Sequence, residues 1–140
     1  GIVKGIDYSP VSVEKARELN RKAIQEGRCV VTQGSVQDML FAGNWFDAVT
    51  AFETVYFWPE LPRSFREVRR VLKPGGTFLL CNECGGEDPK DEKWTEKIPG
   101  MTIYTPEELR GFLTQAGFQD IQVHQNGKGW LCVTARKGEA

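Results

Sequence analysis

An acid near the start of the chain is the clearest candidate for a chemical role. Asp7 follows an apolar run that contains Val3 and Ile6, whose β-branched side chains are typical of a buried strand. Ser9 and Pro10 follow and suit a helix cap and a first helical residue. Asp7 is therefore predicted at the carboxyl end of a strand, where an acid can accept hydrogen bonds from two sugar hydroxyls. The alternative is that Asp7 only helps to cap the helix.

Two cysteines have the spacing of a redox pair or of half a zinc site. Cys81 and Cys84 stand three residues apart, but a structural zinc site usually takes two such pairs and the sequence has no second one. A redox pair would typically begin a helix, whereas Cys81 ends a strand-like run. We interpret the spacing of Cys81 and Cys84 as incidental and all four cysteines, which include Cys29 and Cys132, as reduced. We predict no metal site. His124, the only histidine, is interpreted as structural or exposed rather than catalytic.

Charge and composition exclude several classes of partner. The 140 residues include 18 basic and 19 acidic ones, which gives a formal net charge of −1. This balance suggests neither a nucleic acid nor an anionic membrane as a partner. No apolar run approaches the roughly 20 residues of a membrane span. We therefore expect one soluble, cytoplasmic domain.

The first half of the chain reads as alternating strands and helices. Apolar residues recur at helical spacing after Ser9, and a second strand is predicted over residues 29–33. The short connections favour a parallel pair with a right-handed helical crossover. A third strand, residues 45–52, is apolar almost throughout, as expected of a strand covered on both faces. Glu53 follows it directly.

The second half continues this pattern before it changes. A helix over residues 61–72 is predicted to break at residues 73–76, where a Lys-Pro-Gly-Gly run precedes a fourth strand over residues 77–81. Residues 85–100 are polar and resemble an insertion or a mobile lid. A capping box at Thr105 then predicts another helix.

The chain is predicted to end in a pair of antiparallel strands. Residues 118–124 and 130–135 are the two strands, and the short joint between them contains Asn126 and Gly127. An Asn-Gly dipeptide in such a joint favours a hairpin.

Taken in order, these features resemble the class I, Rossmann-like methyltransferases that use S-adenosylmethionine, and above all a bacterial small-molecule group called type 11. The resemblance covers essentially the whole chain, and its most specific piece is the Arg-Val-Leu-Lys-Pro-Gly-Gly run. The motifs that carry it are the strand ending in Asp7, Gly34-Ser35 with Asp38, Phe46 to Val49 running into Glu53, and residues 70–76. It implies a single α/β domain over residues 1–140, with a mostly parallel sheet and a C-terminal antiparallel hairpin.

In that family a first strand and a glycine-rich turn precede the strand that ends in the ribose-binding acid. Nothing precedes that strand here, so the resemblance implies a truncated domain that lacks a unit of roughly 30 residues. The strands that contain Val3 and Phe46 would then each keep an open edge. Open edges invite pairing with another chain or a local rearrangement, so we expect either self-association or a sheet that is repaired in a way unlike that of the family.

The resemblance also implies the site residues and S-adenosylmethionine as the cofactor. Asp7 would hold the ribose, Ser35 and Val36 would pass the adenine ring, and Asp38 would meet its amine, although Asp38 as an ordinary loop acid stays open. Glu53 would accept a proton from a nucleophile or steady the sulfonium charge. The full set of cofactor-binding residues is Asp7, Tyr8, Ser35, Val36, Asp38 and Phe52.

Aromatic residues after the third strand are the candidates for substrate binding. Tyr56 and Trp58 would form a wall against the sulfonium or an aromatic substrate, and plain packing is the alternative, most of all for Phe57. The Asn-Pro-Pro-Tyr signature of many nucleic-acid and protein methyltransferases is absent at residues 53–56, which favours a small-molecule acceptor. Two other functions stay open: a dinucleotide-binding oxidoreductase fragment, whose second strand also ends in an acid, and a non-catalytic interaction domain.

Overall fold

A computed structural model describes residues 1–139, and the chain divides into two compact units at Leu40 and Phe41. We call them the N-terminal unit and the C-terminal unit. The elements of the N-terminal unit are β1 (Val3–Asp7), α1 (Pro10–Leu19), α2 (Arg21–Gln25) and β2 (Cys29–Gln33). The single domain predicted over residues 1–140 stays a prediction.

The N-terminal unit is a parallel strand pair joined through two short helices. β1 and β2 pair with Val3 opposite Cys29, as the sequence predicted. Ser9 caps α1 by accepting the Ser12 N–H at 3.3 Å, and Pro10 is the first helical residue. The small core of this unit consists of Val13, Cys29 and Val31, packed against Ala16, Ala23 and Ile24.

β1 is more exposed to solvent than its β-branched residues led us to expect. Val3 is 64% exposed, so the expectation of a buried strand is wrong at this position. The reason is topological, because β1 has one neighbouring strand among residues 1–139 and the unit's core is small. β3, introduced below, also has a single neighbour in the described chain, and both open edges agree with the sequence-based expectation.

The C-terminal unit contains a four-stranded mixed sheet in the order β3-β4-β6-β5. β3 and β4 are parallel, whereas β6 runs antiparallel to both β4 and β5, which confirms the predicted hairpin. No helix within residues 1–139 is long and apolar enough to span a membrane. The elements are β3 (Phe46–Phe52), α3 (Leu61–Val71), β4 (Leu72–Asn82), α4 (Glu92–Lys97), α5 (Pro106–Gln115), β5 (Gln119–Gln125) and β6 (Leu131–Arg136).

One face of this sheet carries the core of the unit. From Gly76 to Asn82 every second residue of β4 is buried, and the α3 residue Phe65 contacts the ring of Phe78 with centroids 5.6 Å apart. On β3, Ala51 is buried while Phe52 is 57% exposed. The expectation that the third strand is covered on both faces is therefore wrong: four of its seven residues are exposed and Ala51 alone is buried, because the long helices α3 and α5 pack mainly against β4 and β5.

Two local expectations are revised by the structure. β4 begins at Leu72, directly after α3, so the Lys-Pro-Gly-Gly run lies inside the strand instead of before it. A Cβ on Gly76 would lie 2.9 Å from the carbonyl oxygen of Lys73, which explains the glycine there. The polar stretch over residues 85–100 contains α4 and a short 3₁₀ turn (Pro89–Asp91), and its motion as a lid stays a prediction.

Candidate functional site

Asp7 lies at the carboxyl end of β1, and one of its carboxylate oxygens is already engaged. Oδ1 accepts the backbone N–H of Ser9 at 2.9 Å, so Asp7 does help to fix the start of α1. The residue is half-buried, and Oδ2 accepts no hydrogen bond from the described part of the chain. Capping and ligand binding are thus compatible, because each uses a different oxygen.

A tight turn follows β2 and is tied to Asp7 through the backbone. The Gly34 N–H donates to the Asp7 carbonyl at 3.0 Å, and the Asp38 N–H donates to the Ser35 carbonyl at 3.2 Å. Ser35 Oγ also accepts the Gln37 N–H at 3.1 Å. These bonds place the turn beside Asp7, at the same end of the parallel pair.

Five of the six predicted cofactor-binding residues thus lie at one edge of the N-terminal unit. Their arrangement is compatible with the nucleoside half of S-adenosylmethionine. The Asp7 oxygen that accepts no hydrogen bond among the described residues suits the ribose hydroxyls, and half-buried Val36 offers an apolar surface to a planar ring. Asp38 is exposed on the same turn, and its carboxylate can accept hydrogen bonds from an amine. The five residues are Asp7, Tyr8, Ser35, Val36 and Asp38.

In the C-terminal unit, Glu53 is held in a strained conformation where β3 ends. Its φ of 58° lies in the left-handed region, which costs a non-glycine residue roughly 1–2 kcal/mol and is enriched at functional sites. Its N–H donates to the Cys81 carbonyl at 2.9 Å, and its carboxylate accepts the Glu83 N–H. Glu53 is exposed, so a fixed carboxylate faces solvent at the carboxyl ends of β3 and β4.

The aromatic residues after Glu53 differ in their surroundings. Tyr56 is 3% exposed, and its hydroxyl accepts the Cys84 N–H at 2.9 Å. Burial, followed by the negative charge of Glu53, raises the pKa of Tyr56 above its usual range even though the Cys84 N–H opposes the shift. The Tyr56 hydroxyl therefore stays protonated at neutral pH.

Trp58 stacks on the core ring of Phe78, with centroids 6.1 Å apart and an interplanar angle of 2°. Phe57, by contrast, is 38% exposed. The packing alternative, kept open for all three residues, therefore describes Tyr56 and Trp58 best, whereas Phe57 is the most exposed of the three and touches the Tyr56 ring edge-on. The proposed contact of Tyr56 and Trp58 with substrate stays a prediction, as does that of Phe52 with the cofactor.

Two features of this region were not predicted. Asn82, the last residue of β4, is 2% exposed, and its amide has no hydrogen-bond partner among the described residues. Cys81 contacts Cys132 and not Cys84, with the two Sγ atoms 2.8 Å apart. Sequence spacing pointed to Cys84, and only the register of β4 against β6 identifies Cys132 as the neighbour.

The residues that could bind a metal ion are dispersed in the structure, and the histidine lies at the surface. Within residues 1–139 no group of three histidine, cysteine, aspartate or glutamate side chains is arranged to hold a metal ion. His124 is exposed on β5, which agrees with the predicted surface placement.

Comparison with known families assigns the chain to a class of protein. A family model described as a methyltransferase domain matches residues 1–80, which is more than half of the chain. The chain therefore belongs to this methyltransferase domain family, and the resemblance inferred from its motifs is confirmed.

Individual relatives agree with this assignment. The chain is 30% identical over 136 residues to 2-methyl-6-phytyl-1,4-hydroquinone methyltransferase 1, chloroplastic, of Oryza sativa subsp. japonica, a match that covers 95% of this chain and 38% of the relative. It is 34% identical over 82 residues to cycloartenol-C-24-methyltransferase 1 of the same organism, covering 59% of this chain and 24% of the relative. The chain thus spans less than two fifths of the length of these curated relatives.

A solved structure supports the fold. One chain of the complex between the Haloferax volcanii Trm112 methyltransferase activator and a methyltransferase superposes with a TM-score of 0.89 at 21% identity. The match covers 100% of this chain and 73% of that chain. It confirms the predicted Rossmann-like methyltransferase fold.

Proposed function

We propose that the protein transfers a methyl group from S-adenosylmethionine to a small-molecule acceptor. The observation that carries this proposal is the edge of the N-terminal unit, where one carboxylate oxygen of Asp7 accepts no hydrogen bond from residues 1–139 and lies beside the turn that follows β2. Membership of the methyltransferase domain family supports the reaction class. It also favours methyl transfer over the dinucleotide-dependent oxidoreductase and the non-catalytic domain.

Each unit has a separate task in this proposal. S-adenosylmethionine, when bound, supplies an electrophilic methyl group on a positively charged sulfur. Asp7 fixes the ribose and Asp38 the adenine amine, so the N-terminal unit orients the cofactor. Methyl transfer is an in-line displacement, and positioning therefore accounts for most of the rate.

Glu53 is the proposed catalytic group of the C-terminal unit. Its carboxylate is held by the Glu83 N–H and is exposed to an incoming acceptor. It would take the proton that the acceptor loses, a role needed only when the acceptor is not already activated. Glu53→Gln should lower kcat for weakly nucleophilic acceptors and leave cofactor affinity unchanged. Equal losses for every acceptor would contradict the role as a base.

The acceptor proposed here is an apolar small molecule. The relatives are named for a phytyl hydroquinone and for a sterol, both largely apolar, and the formal charge of −1 provides no attraction for polyanions. A panel of hydroquinones, sterols and polar amines, assayed with radiolabelled cofactor, tests this. Exclusive methylation of the amines would refute the apolar class but not methyl transfer itself.

Calorimetric titration tests the cofactor. The titration uses this chain and a longer version that includes residues encoded upstream of Gly1. We expect S-adenosylhomocysteine to bind to at least one of the two versions, and NAD to bind to neither. Binding by the longer version alone would show that cofactor binding needs residues that precede Gly1. Binding of NAD in place of S-adenosylhomocysteine would overturn the proposed function, and binding of neither by either version would favour an interaction domain. The cytoplasmic location stays a prediction alongside these proposals.

A further inference from the structure

Two thiols face each other across the centre of the C-terminal sheet. Cys81 on β4 and Cys132 on β6 are directly opposite in the antiparallel register. Their Sγ atoms are 2.8 Å apart, and both residues are half-buried free thiols. The contact therefore arises from strand pairing and not from closeness in sequence, because 51 positions separate the two cysteines.

The backbone geometry at this pair already suits a covalent bond. Directly opposed residues of antiparallel strands have Cα atoms about 4.5–5.5 Å apart, and disulfides span about 4.4–6.8 Å between Cα atoms. The sulfurs would need to approach by less than about 1 Å to reach the disulfide bond length of roughly 2.05 Å. No rearrangement of β4 against β6 is required.

We propose that Cys81 and Cys132 are a redox site that forms a reversible cross-strand disulfide with a low-molecular-weight disulfide as the oxidant. The thiolate of one cysteine attacks a sulfur of the small disulfide and expels one small thiol. The second cysteine then attacks the mixed disulfide and releases the other small thiol. One Cys81–Cys132 bond forms, one small-molecule disulfide is reduced to two thiols, and the two thiol protons leave with those products.

The surroundings of the pair determine how readily it reacts. Burial, with smaller contributions from Cys132 and Glu53, raises the pKa of Cys81 to about 11. The thiolate of Cys81 is therefore scarce at neutral pH, and attack by Cys81 is slow unless the oxidant is in excess. His124 stands opposite Cys132 on β5 and is the other titratable residue in this row of the sheet. A reducing cytosol would keep the pair as thiols until the redox balance shifts, as in other cytosolic sensing cysteines.

The location of the pair connects it to the candidate catalytic residue. The carbonyl of Cys81 accepts the N–H of Glu53, and Phe52 is the neighbour of Cys81 on β3. A bond at this position would crosslink β4 to β6 beside the strained residue at the end of β3. The two cysteines lie within the sheet of the C-terminal unit, so their oxidation does not depend on the proposed function.

The test uses the full chain and oxidised glutathione. After prolonged incubation in excess oxidant at about pH 8.5, where more thiolate is present, we expect the titratable thiols to fall from four to two. Peptide mapping should identify a Cys81–Cys132 bridge, the melting temperature should rise because the unfolded chain is constrained, and dithiothreitol should reverse both changes. Four remaining thiols, or a bridge from Cys81 to Cys84, would overturn the proposal.

Matched serine variants separate this pair from general thiol reactivity. Cys84→Ser keeps both members of the pair, so the bridge and the rise in melting temperature should persist. Cys132→Ser should lose both and leave Cys81 free or joined to glutathione. A rise in melting temperature of the Cys132→Ser variant equal to that of the unmodified chain would show that another reaction stabilises the protein, and it would refute the site.

Discussion

The two oxygens of the Asp7 carboxylate have different surroundings, and this allows two roles to be separated. Asp7→Asn keeps an oxygen that can accept the Ser9 N–H, whereas Asp7→Ala removes it. We expect Asp7→Asn to weaken S-adenosylhomocysteine binding about tenfold, because a charged hydrogen bond to the ribose is lost, with little change in the free energy of unfolding. Asp7→Ala should weaken binding at least as much and also cost about 1 kcal/mol of stability.

Calorimetry and urea unfolding, applied to both variants, check this prediction. Asp38→Asn serves as a control of the same chemistry on the neighbouring turn, and it should lower affinity by less because the residue is exposed. Unchanged affinity in Asp7→Ala would show that the carboxylate only caps α1.

Tyr56 should make the protein sensitive to alkali. In the folded chain, burial raises the pKa of Tyr56, whereas the phenol of the unfolded chain ionises near its ordinary pKa of 10.0. Above pH 10 the unfolded state loses a proton that the folded state keeps, so the free energy of unfolding falls as pH rises; below pH 10 this contribution is fully present. Tyr56→Phe should remove that part of the decline.

Urea midpoints measured between about pH 8 and 11 test the tyrosine effect. At the lower pH, Tyr56→Phe should be less stable by about 1 kcal/mol, because the Cys84 N–H loses its acceptor. Tyr8→Phe, at a site that is 71% exposed, is the matched control and should keep the alkaline decline. An alkaline slope that is identical in Tyr56→Phe and the unmodified chain would contradict the assignment.

At the scale of elements, the capping box of α5 should contribute measurable stability. Thr105 Oγ1 accepts the Glu108 N–H at 3.2 Å, and Glu108 Oε1 accepts the Thr105 N–H at 3.0 Å. Thr105→Ala should lower the free energy of unfolding by about 1 kcal/mol. Thr114→Ala is the control, because its hydroxyl bonds the Arg110 carbonyl within the helix and its loss should be close to neutral. Equal effects of the two substitutions would argue against the cap.

Elements with local signals were predictable from sequence, and those that depend on partners were not. Ser9 and Thr105 were predicted as helix caps because a cap involves residues only three positions apart. Val3 was expected to be buried, since its side chain suits a strand, but burial depends on neighbours that the chain order does not specify. The contact of Cys81 with Cys132 depends on strand register, which sequence spacing does not reveal.

The candidate site divides in the same way. Asp7 and the turn after β2 follow from a strand–helix–strand pattern that fixes both ends locally, so their position at one edge of the N-terminal unit was predictable, and their contact with a nucleoside stays a prediction. The left-handed backbone of Glu53 and the burial of Tyr56 arise from packing around β4. Polarity alone gave no sign of either, and it did not indicate that Phe57 is the most exposed of the three aromatic residues.

At the scale of the whole molecule, the sheet edges predict association between copies of the chain. β1 and β3 each have one hydrogen-bonded neighbour among residues 1–139, and unpaired strand edges are templates for intermolecular pairing. Light scattering should show a mass that rises with protein concentration. Val3→Lys and Thr50→Lys, at exposed positions on these strands, should each lower the measured mass because a charge blocks edge pairing. Leu19→Lys, which replaces an 86% exposed residue of α1, should not. A clean monomer at high concentration, with the amides of β1 and β3 protected from hydrogen exchange, would refute association through these edges.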